Sequence, residues 1–231
     1  MREWNKQDQA EWEIEFEKRF GFSYKDFKRA FAVRFGAPIE HTKISHTKWM
    51  VSKWNEDEFD SQGITFGKGG NFIEVMEKLQ DEVESNPNTT IKRLQHAKRF
   101  NILLLGGITE SLKRDTDEVT TTPPSAITGV SHIGVGTDGT AESQSQTGLI
   151  SAYGARKEFD VTGQRVTINQ TGKYNMVFKD TDITPPVTLR EAVMYNRLTA
   201  GTGHNRMQYP DFSFTSGQVI TFQTNENQVN G

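Results

Sequence analysis

Apolar positions recur with a helical period through much of the first hundred residues and alternate with polar ones through much of the last hundred. Trp12, Phe16 and Phe20 fall every four residues behind the capping-type pair Asp8 and Glu11, and Gly21 stops the run, which predicts a helix over 8–20. Ser23 and Asp26 cap a second helix whose Tyr24, Phe27, Phe31 and Phe35 share a face, ended by Gly36-Ala37-Pro38. Residues 40–70 follow neither period: Trp49, Met50, Val51 and Trp54 need something to pack on, 56–60 is an acidic run, and the glycines of 63–70 read as a flexible connection. The clearest helix is 71–85, with Asn71 and Glu74 at its start, a stripe of Phe72, Met76, Leu79 and Val83, and Asn86-Pro87 as its end. Thr89 or Thr90 then opens another, with Ile91, Leu94, Ala97 and Ile102 facing inward.

Beyond a Thr/Pro segment at 115–125 the period changes to two. Ile127, Val130, Ile133 and Val135 suit a buried strand. Residues 158–161 and 165–168 read as a hairpin around Thr162-Gly163-Gln164, and Thr171-Gly172-Lys173 as a further turn. Tyr174, Met176 and Phe178 alternate with polar neighbours, and 187–193, 207–214 and 219–222 complete about seven strands at short spacing. The expected fold is α+β: a helical region over 1–115 and an antiparallel, jelly-roll-like β-sandwich over 116–231. The two are expected to be separable, with the linker at 115–125.

Composition narrows the functional classes. Of 231 residues, 34% are hydrophobic, and the mean hydropathy of −0.66 suggests that part of the stability comes from subunit contacts. A net charge of −3 supplies no general attraction for nucleic acid or an anionic membrane. Without cysteine there is neither a disulfide framework nor a thiolate metal site. The first residues lack the apolar run of a signal peptide, and no stretch approaches the roughly 20 apolar residues of a membrane span. Synthesis in a cytoplasm is the expectation.

Several residue groups are candidates for chemistry. Gly134, Gly136 and Gly139 spell a dinucleotide-type glycine pattern, but the polar segment after Gly139 has no helical period, so no helix N-terminus would face a phosphate. The two N-terminal helices could suggest a helix-turn-helix with Lys25, Lys28, Arg29 and Arg34 outside; Glu11, Glu13, Glu15 and Glu17 would repel phosphates. Lys92, Arg93, Lys98 and Arg99 form a basic run that suits an acidic neighbour or an ordinary solvated face. His41 and His46 lack a third metal ligand nearby. Asp180 and Asp182 have the spacing of paired carboxylates or a Ca²⁺ site, and equally of a turn before Pro185-Pro186. Ser143, Ser145 and Ser151 have no nucleophile-elbow context, and His132 and His204 no acid at readable spacing. No catalytic residue, metal ligand or cofactor is expected.

Asn101-Ile-Leu-Leu-Leu-Gly-Gly107, Ser131-His-Ile-Gly-Val-Gly-Thr137, a Ser/Thr-rich segment before Leu149, Leu189-Arg-Glu-Ala-Val-Met-Tyr195 and Phe212-Ser-Phe-Thr-Ser-Gly-Gln-Val-Ile-Thr-Phe222 follow one another in order. Together, over about 100–231, they resemble a family of tailed-phage and tailed-virus virion proteins. Asp138 and Val193 stand where that pattern has glycine. The resemblance implies a virion location and a non-enzymatic structural role in head, neck or tail, such as connector, collar or baseplate. Its partners would be further copies in a ring-like homo-oligomer and other virion proteins. A receptor- or glycan-binding module on the same particle is the alternative, with Tyr153, Tyr195 and Tyr209 as candidate aromatics. Val219, Ile220, Thr221 and Phe222 are expected at an interface, as a terminal strand on a sheet edge, with the polar tail 223–231 ordering against a neighbour.

Overall fold

The computed structural model describes residues 6–26, 43–100, 102–103, 129–143, 145–168 and 171–230. Two five-stranded antiparallel sheets stack face to face. The chain runs through α1 (Lys6–Phe20), β1 (Lys43–Asn55), α2 (Glu56–Asp60), α3 (Phe72–Ser85), β2 (Arg93–Phe100), β3 (Ile102–Leu103), β4 (His132–Gly136) and β5 (Ala152–Glu158). It continues through α4 (Phe159–Thr162), β6 (Gly163–Ile168), β7 (Thr171–Phe178), β8 (Val187–Tyr195), β9 (Gly203–Phe214) and β10 (Gln218–Asn230). One sheet has the order β2-β1-β10-β7-β6, the other β3-β9-β8-β4-β5. Sequence neighbours pair within a sheet (β1 with β2, β6 with β7, β4 with β5, β8 with β9), so the chain changes sheets between these pairs.

The core between the sheets is the sandwich expected from the alternating segments. Trp49 and Val51 of β1, Met176 and Phe178 of β7, and Ile220 and Phe222 of β10 face Ile133, Leu189, Ala192, Met207, Tyr209 and Phe212. Removing such side chains from water stabilises the fold by roughly 1.5–3 kcal/mol each. The opposite face of the first sheet is covered too. Phe72, Met76 and Leu79 of α3 pack with Phe59 on Trp54, Val177 and Val219. A strand covered on both sides carries apolar residues on both faces, which is why 49–54 shows no alternation. The start of α3 is capped from β6: Gln164 Oε1 accepts the Ile73 N–H at 2.7 Å. Asn71, the expected cap, instead fastens the preceding loop by accepting the Thr65 N–H at 2.7 Å and donating to the Gly63 carbonyl at 3.0 Å.

The expected helix after Thr89 is the strand β2. Ile91, Leu94 and Ala97 imitate a helical period, but Gln95 faces Lys53 while Arg93 faces Trp54, so Leu94 is an extra, bulged residue, Ala97 reaches the core between the sheets, and Ile91 packs on the cluster beneath α3. Pairing with β1 supplies backbone partners that a helix propensity this weak does not resist. The expected hairpin at 158–168 is a corner: β5 and β6 belong to different sheets, and α4, anchored by buried Phe159, carries the chain across. The helices expected at 8–20 and 71–85 are present as α1 and α3. Most of the second helix and the 115–125 linker lie outside the described residues.

The expected division near residue 115 is crossed by the longest ladder among the described residues. β1 pairs with β10 from Lys43 opposite Asn230 to Asn55 opposite Gln218. The polar tail is therefore strand, its Gln223 and Thr224 buried. Val219, Ile220, Thr221 and Phe222, expected at a sheet edge, sit in the middle of the sheet between β1 and β7, with the whole stretch buried. Their backbone groups have partners within the chain, so this stretch is not an edge on which a neighbour could pair.

Candidate functional site

The outer face of the second sheet carries a dense set of engaged polar groups. Glu191 lies on β8 and Arg206 on the adjacent β9. Arg206 Nε donates to Glu191 Oε2 at 2.8 Å, with both side chains wholly buried. The remaining capacity of the pair is turned on the segment 137–151, which folds back over the sheet. Glu191 accepts the Ile150 and Ser151 N–H groups at 3.1 and 2.8 Å. Arg206 donates to the Thr140 carbonyl at 3.0 Å and to Gln146 Oε1 at 3.1 Å, and Asp138 lies 3.8 Å from its other terminal nitrogen. Arg206 Nη2 has no hydrogen-bond partner among the described residues; the other polar atoms of the pair are all engaged, which is what makes a buried ion pair tolerable.

A second cluster lies beside it. Arg156 of β5 stacks its guanidinium 3.4 Å from the centre of the Tyr195 ring, and the Tyr195 hydroxyl accepts the Leu149 N–H at 2.8 Å. Val193, Tyr195 and Leu149 close the segment down as a small apolar cluster. Burial pushes the Tyr195 hydroxyl above its ordinary range.

This packing accounts for the glycine pattern. A Cβ at Gly136 would lie 2.4 Å from the Ser151 carbonyl oxygen and 2.5 Å from Glu191 Oε1; at Gly134 it would press on Leu149 and Arg156. The strand must be bare for the carboxylate and the returning segment to approach. Gly134 pairs with Val193, so the bare position on β4 leaves room for the valine on the neighbouring strand. At Gly139 the nearest atom to an added Cβ belongs to the flexible Arg190 side chain, at 3.1 Å.

The other sequence candidates are dispersed and occupied. Asp180 accepts from Ser216 Oγ at 2.5 Å and the Gly217 N–H at 3.2 Å, which ties down the β9–β10 turn. Asp182 instead takes Lys157 Nζ at 2.7 Å and the Lys179 N–H at 2.8 Å. Lys157 also donates to the Val177 carbonyl at 2.9 Å and so bridges the two sheets; burial holds its ammonium below the ordinary lysine range. The two aspartates thus face different partners, as turn residues do. His132 contacts Ser131 Oγ at 2.7 Å, and burial lowers its pKa. His204 meets Glu226 at 3.3 Å, a partner 22 residues away on the other sheet that no sequence spacing announces. Ser143 and Ser145 bond to each other at 2.9 Å, and Ser151 to Thr137 at 3.0 Å. The three tyrosines are not loop-tip aromatics: Tyr195 and Tyr209 are buried, and Tyr153 donates to the Thr184 carbonyl at 2.8 Å. His41 lies outside the described residues, and His46 is on β1 opposite Asn227. Among the described residues no three His, Asp or Glu side chains converge as a metal-binding group, and no helix is long and apolar enough to cross a membrane.

Beneath α3 lies a network that sequence reasoning missed. Ser52 Oγ is 3.0 Å from His96 Nδ1, and Gln80 Nε2 donates to Ser52 Oγ at 2.9 Å and to Gln223 Oε1 at 3.0 Å. Arg93 closes the set on Gln80 and stands 3.5 Å from Glu84. A serine–histidine pair resembles a nucleophile and its base, but Ser52 is fully buried under the helix. No local signal marked it: Ser52 lies in a stretch with apolar residues on both faces, and its partners come from β2 and α3, far away in sequence.

No protein-family model, curated protein or solved structure matches the chain.

Proposed function

We propose that the chain is a non-enzymatic structural component of a tailed phage particle, of connector, collar or baseplate type. In this reading it acts by symmetric self-association and by docking to other virion proteins, and it needs no cofactor, nucleic acid or membrane. The observation that carries the reading is the meeting of segments that underlie the family resemblance. The glycine strand 131–137, the Leu149 segment and 189–195 lie far apart in sequence, yet Gly136 is in register with Glu191, Gly134 with Val193, and Leu149 rests on Tyr195. Their shared product is a loop clamped to a sheet by a buried ion pair. Such a face is stiff, and a stiff face loses little conformational entropy when a neighbour docks on it. The native mass of the purified chain, measured over a range of concentrations, tests the self-association. A discrete multimer is expected; a monomer at every concentration contradicts it.

A further inference from the structure

The two sheets end in four strands, and they differ in how open each is to another chain. β5 is guarded: Val135 faces Tyr153 and Ile133 faces Lys157, so three residues bulge opposite Gly134, with Gly154 at φ 74°. β2 carries the Leu94 bulge and a run of basic side chains. Bulges and charges of this kind keep an edge from pairing. β3 is only two residues long among those described. β6 has none of these devices, and its six residues pair with β7 in unbroken register from Gly163 opposite Met176 to Ile168 opposite Thr171.

The register says which backbone groups of β6 point away from β7. Gly163 turns its carbonyl to the Gly67 N–H and its N–H to the Phe159 carbonyl, both away from β7, so by alternation Gln164, Val166 and Ile168 exchange hydrogen bonds with β7. Gly163, Arg165 and Thr167 then direct their N–H and C=O groups outward. The chain itself uses the first of these: Gly163 O accepts the Gly67 N–H at 2.8 Å. That contact ends the open lane and leaves Arg165 and Thr167 as a pair of outward donors and acceptors flanking Val166. Their side chains do not block the lane, since Arg165 is drawn back to Asp160 at 2.6 Å and Gln164 to the start of α3. Beside the edge stand two exposed apolar side chains, Phe66 next to Gly67 and Val161 on α4, 38% and 63% exposed.

We infer that two copies of the chain pair antiparallel along the outer edge of β6, about a two-fold axis at Val166. The pattern is self-complementary. Arg165 of each copy faces Thr167 of the other, which forms four backbone hydrogen bonds, and Val166 meets its own counterpart. No like charges stand opposite one another, and Phe66 and Val161 gain cover from water at the flanks. The pairing joins two five-stranded sheets into one of ten strands. It rests on the reading that the chain self-associates, and it assigns that contact to one strand.

The chain contains no cysteine, so a single Val166→Cys variant reports the contact cleanly. Residues directly opposite at a non-hydrogen-bonded position lie about 4.5 Å apart between Cα atoms, within disulfide range. Under mild oxidation Val166→Cys should give an interchain disulfide dimer as its main product, and Leu94→Cys, exposed on β2 at the opposite edge of the same sheet, should not. Thr167→Pro removes an outward N–H while sparing the bonds to β7. It should weaken self-association about tenfold or more, because two symmetry-related bonds are lost. A folded Val166→Cys chain that forms no more disulfide than the control overturns the inference, as does a Thr167→Pro chain that associates like the unmodified one. If a multimer persists through both results, only the assignment to β6 fails; if the unmodified chain is monomeric, the self-association reading fails with it.

Discussion

Arg206 Nε on β9 lies 2.8 Å from Glu191 Oε2 on β8, and neither side chain has any exposed surface. Two charges so placed are stable only in each other's company. Arg206→Met should lower the unfolding free energy by about 3–5 kcal/mol, because it strands a buried carboxylate. Adding Glu191→Gln to it should restore part of the loss, since no unpaired charge remains and the amide oxygen still accepts from the segment above. Urea unfolding of the single and double variants measures this coupling. Losses that simply add would contradict the clamp.

The two glycines Gly136 and Gly139 should respond differently to alanine. At Gly136 the new methyl group meets a backbone oxygen and the clamped Glu191 carboxylate, neither of which can withdraw, so a cost of about 1–3 kcal/mol is expected. At Gly139 only the Arg190 chain must give way, and the change should stay within about 0.5 kcal/mol. Thermal or urea unfolding compares them. Equal costs would point to a role for the glycine pattern as a whole, such as a phosphate cradle.

Stability should fall as the medium is acidified through the range set by His96. Burial, and after it the Arg93 charge, hold this imidazole down at about 4 from an ordinary 6.5. Between these values the unfolded chain binds a proton that the folded chain refuses, so folding is favoured less as pH drops through that window. The Glu84 charge opposes the shift and Lys98 adds to it. Thermal midpoints taken from neutral pH down to pH 4 should slope downward, and His96→Gln should reduce that slope. An unchanged slope would show that carboxylates elsewhere set the acid limit.

A fragment comprising 116–231 should fail to fold on its own. Without β1, the β10 residues Ile220 and Phe222 lose Trp49 and Val51 across the ladder, and Val219 loses Trp54 and α3. A dispersed amide spectrum from the isolated fragment would contradict this and restore a two-unit organisation.

What the sequence made legible follows from the range of the forces involved. α1 and α3 are local, and their apolar spacing and end residues suffice to read them. Tyr174 and Met176 alternate with polar Lys173 and Asn175, whereas Val177 breaks the pattern because α3 covers that face of β7. β8 was readable as a strand but not by face: a bulge sets Leu189 opposite Phe212 and Glu191 opposite Gln208, so Leu189 and Ala192 both reach the core. β1 and β10 are joined by contacts between residues more than 160 positions apart, which no local period encodes. For the same reason Val219–Phe222 read as a free edge, although its partner is the unassigned stretch around Trp49. The Glu191–Arg206 clamp was hidden because each charge, taken alone in an alternating strand, reads as a solvent-facing residue. The glycines of 134–139 stood out correctly, but their cause is room for that clamp.

The central claim is that this chain is a built part of a tailed particle, and quantitative mass spectrometry of purified particles tests it most directly. The account predicts the chain in the particles at a fixed whole-number copy count set by their rotational symmetry, retained through gradient purification. Its absence from the particles, or a copy count that varies with washing, would contradict it.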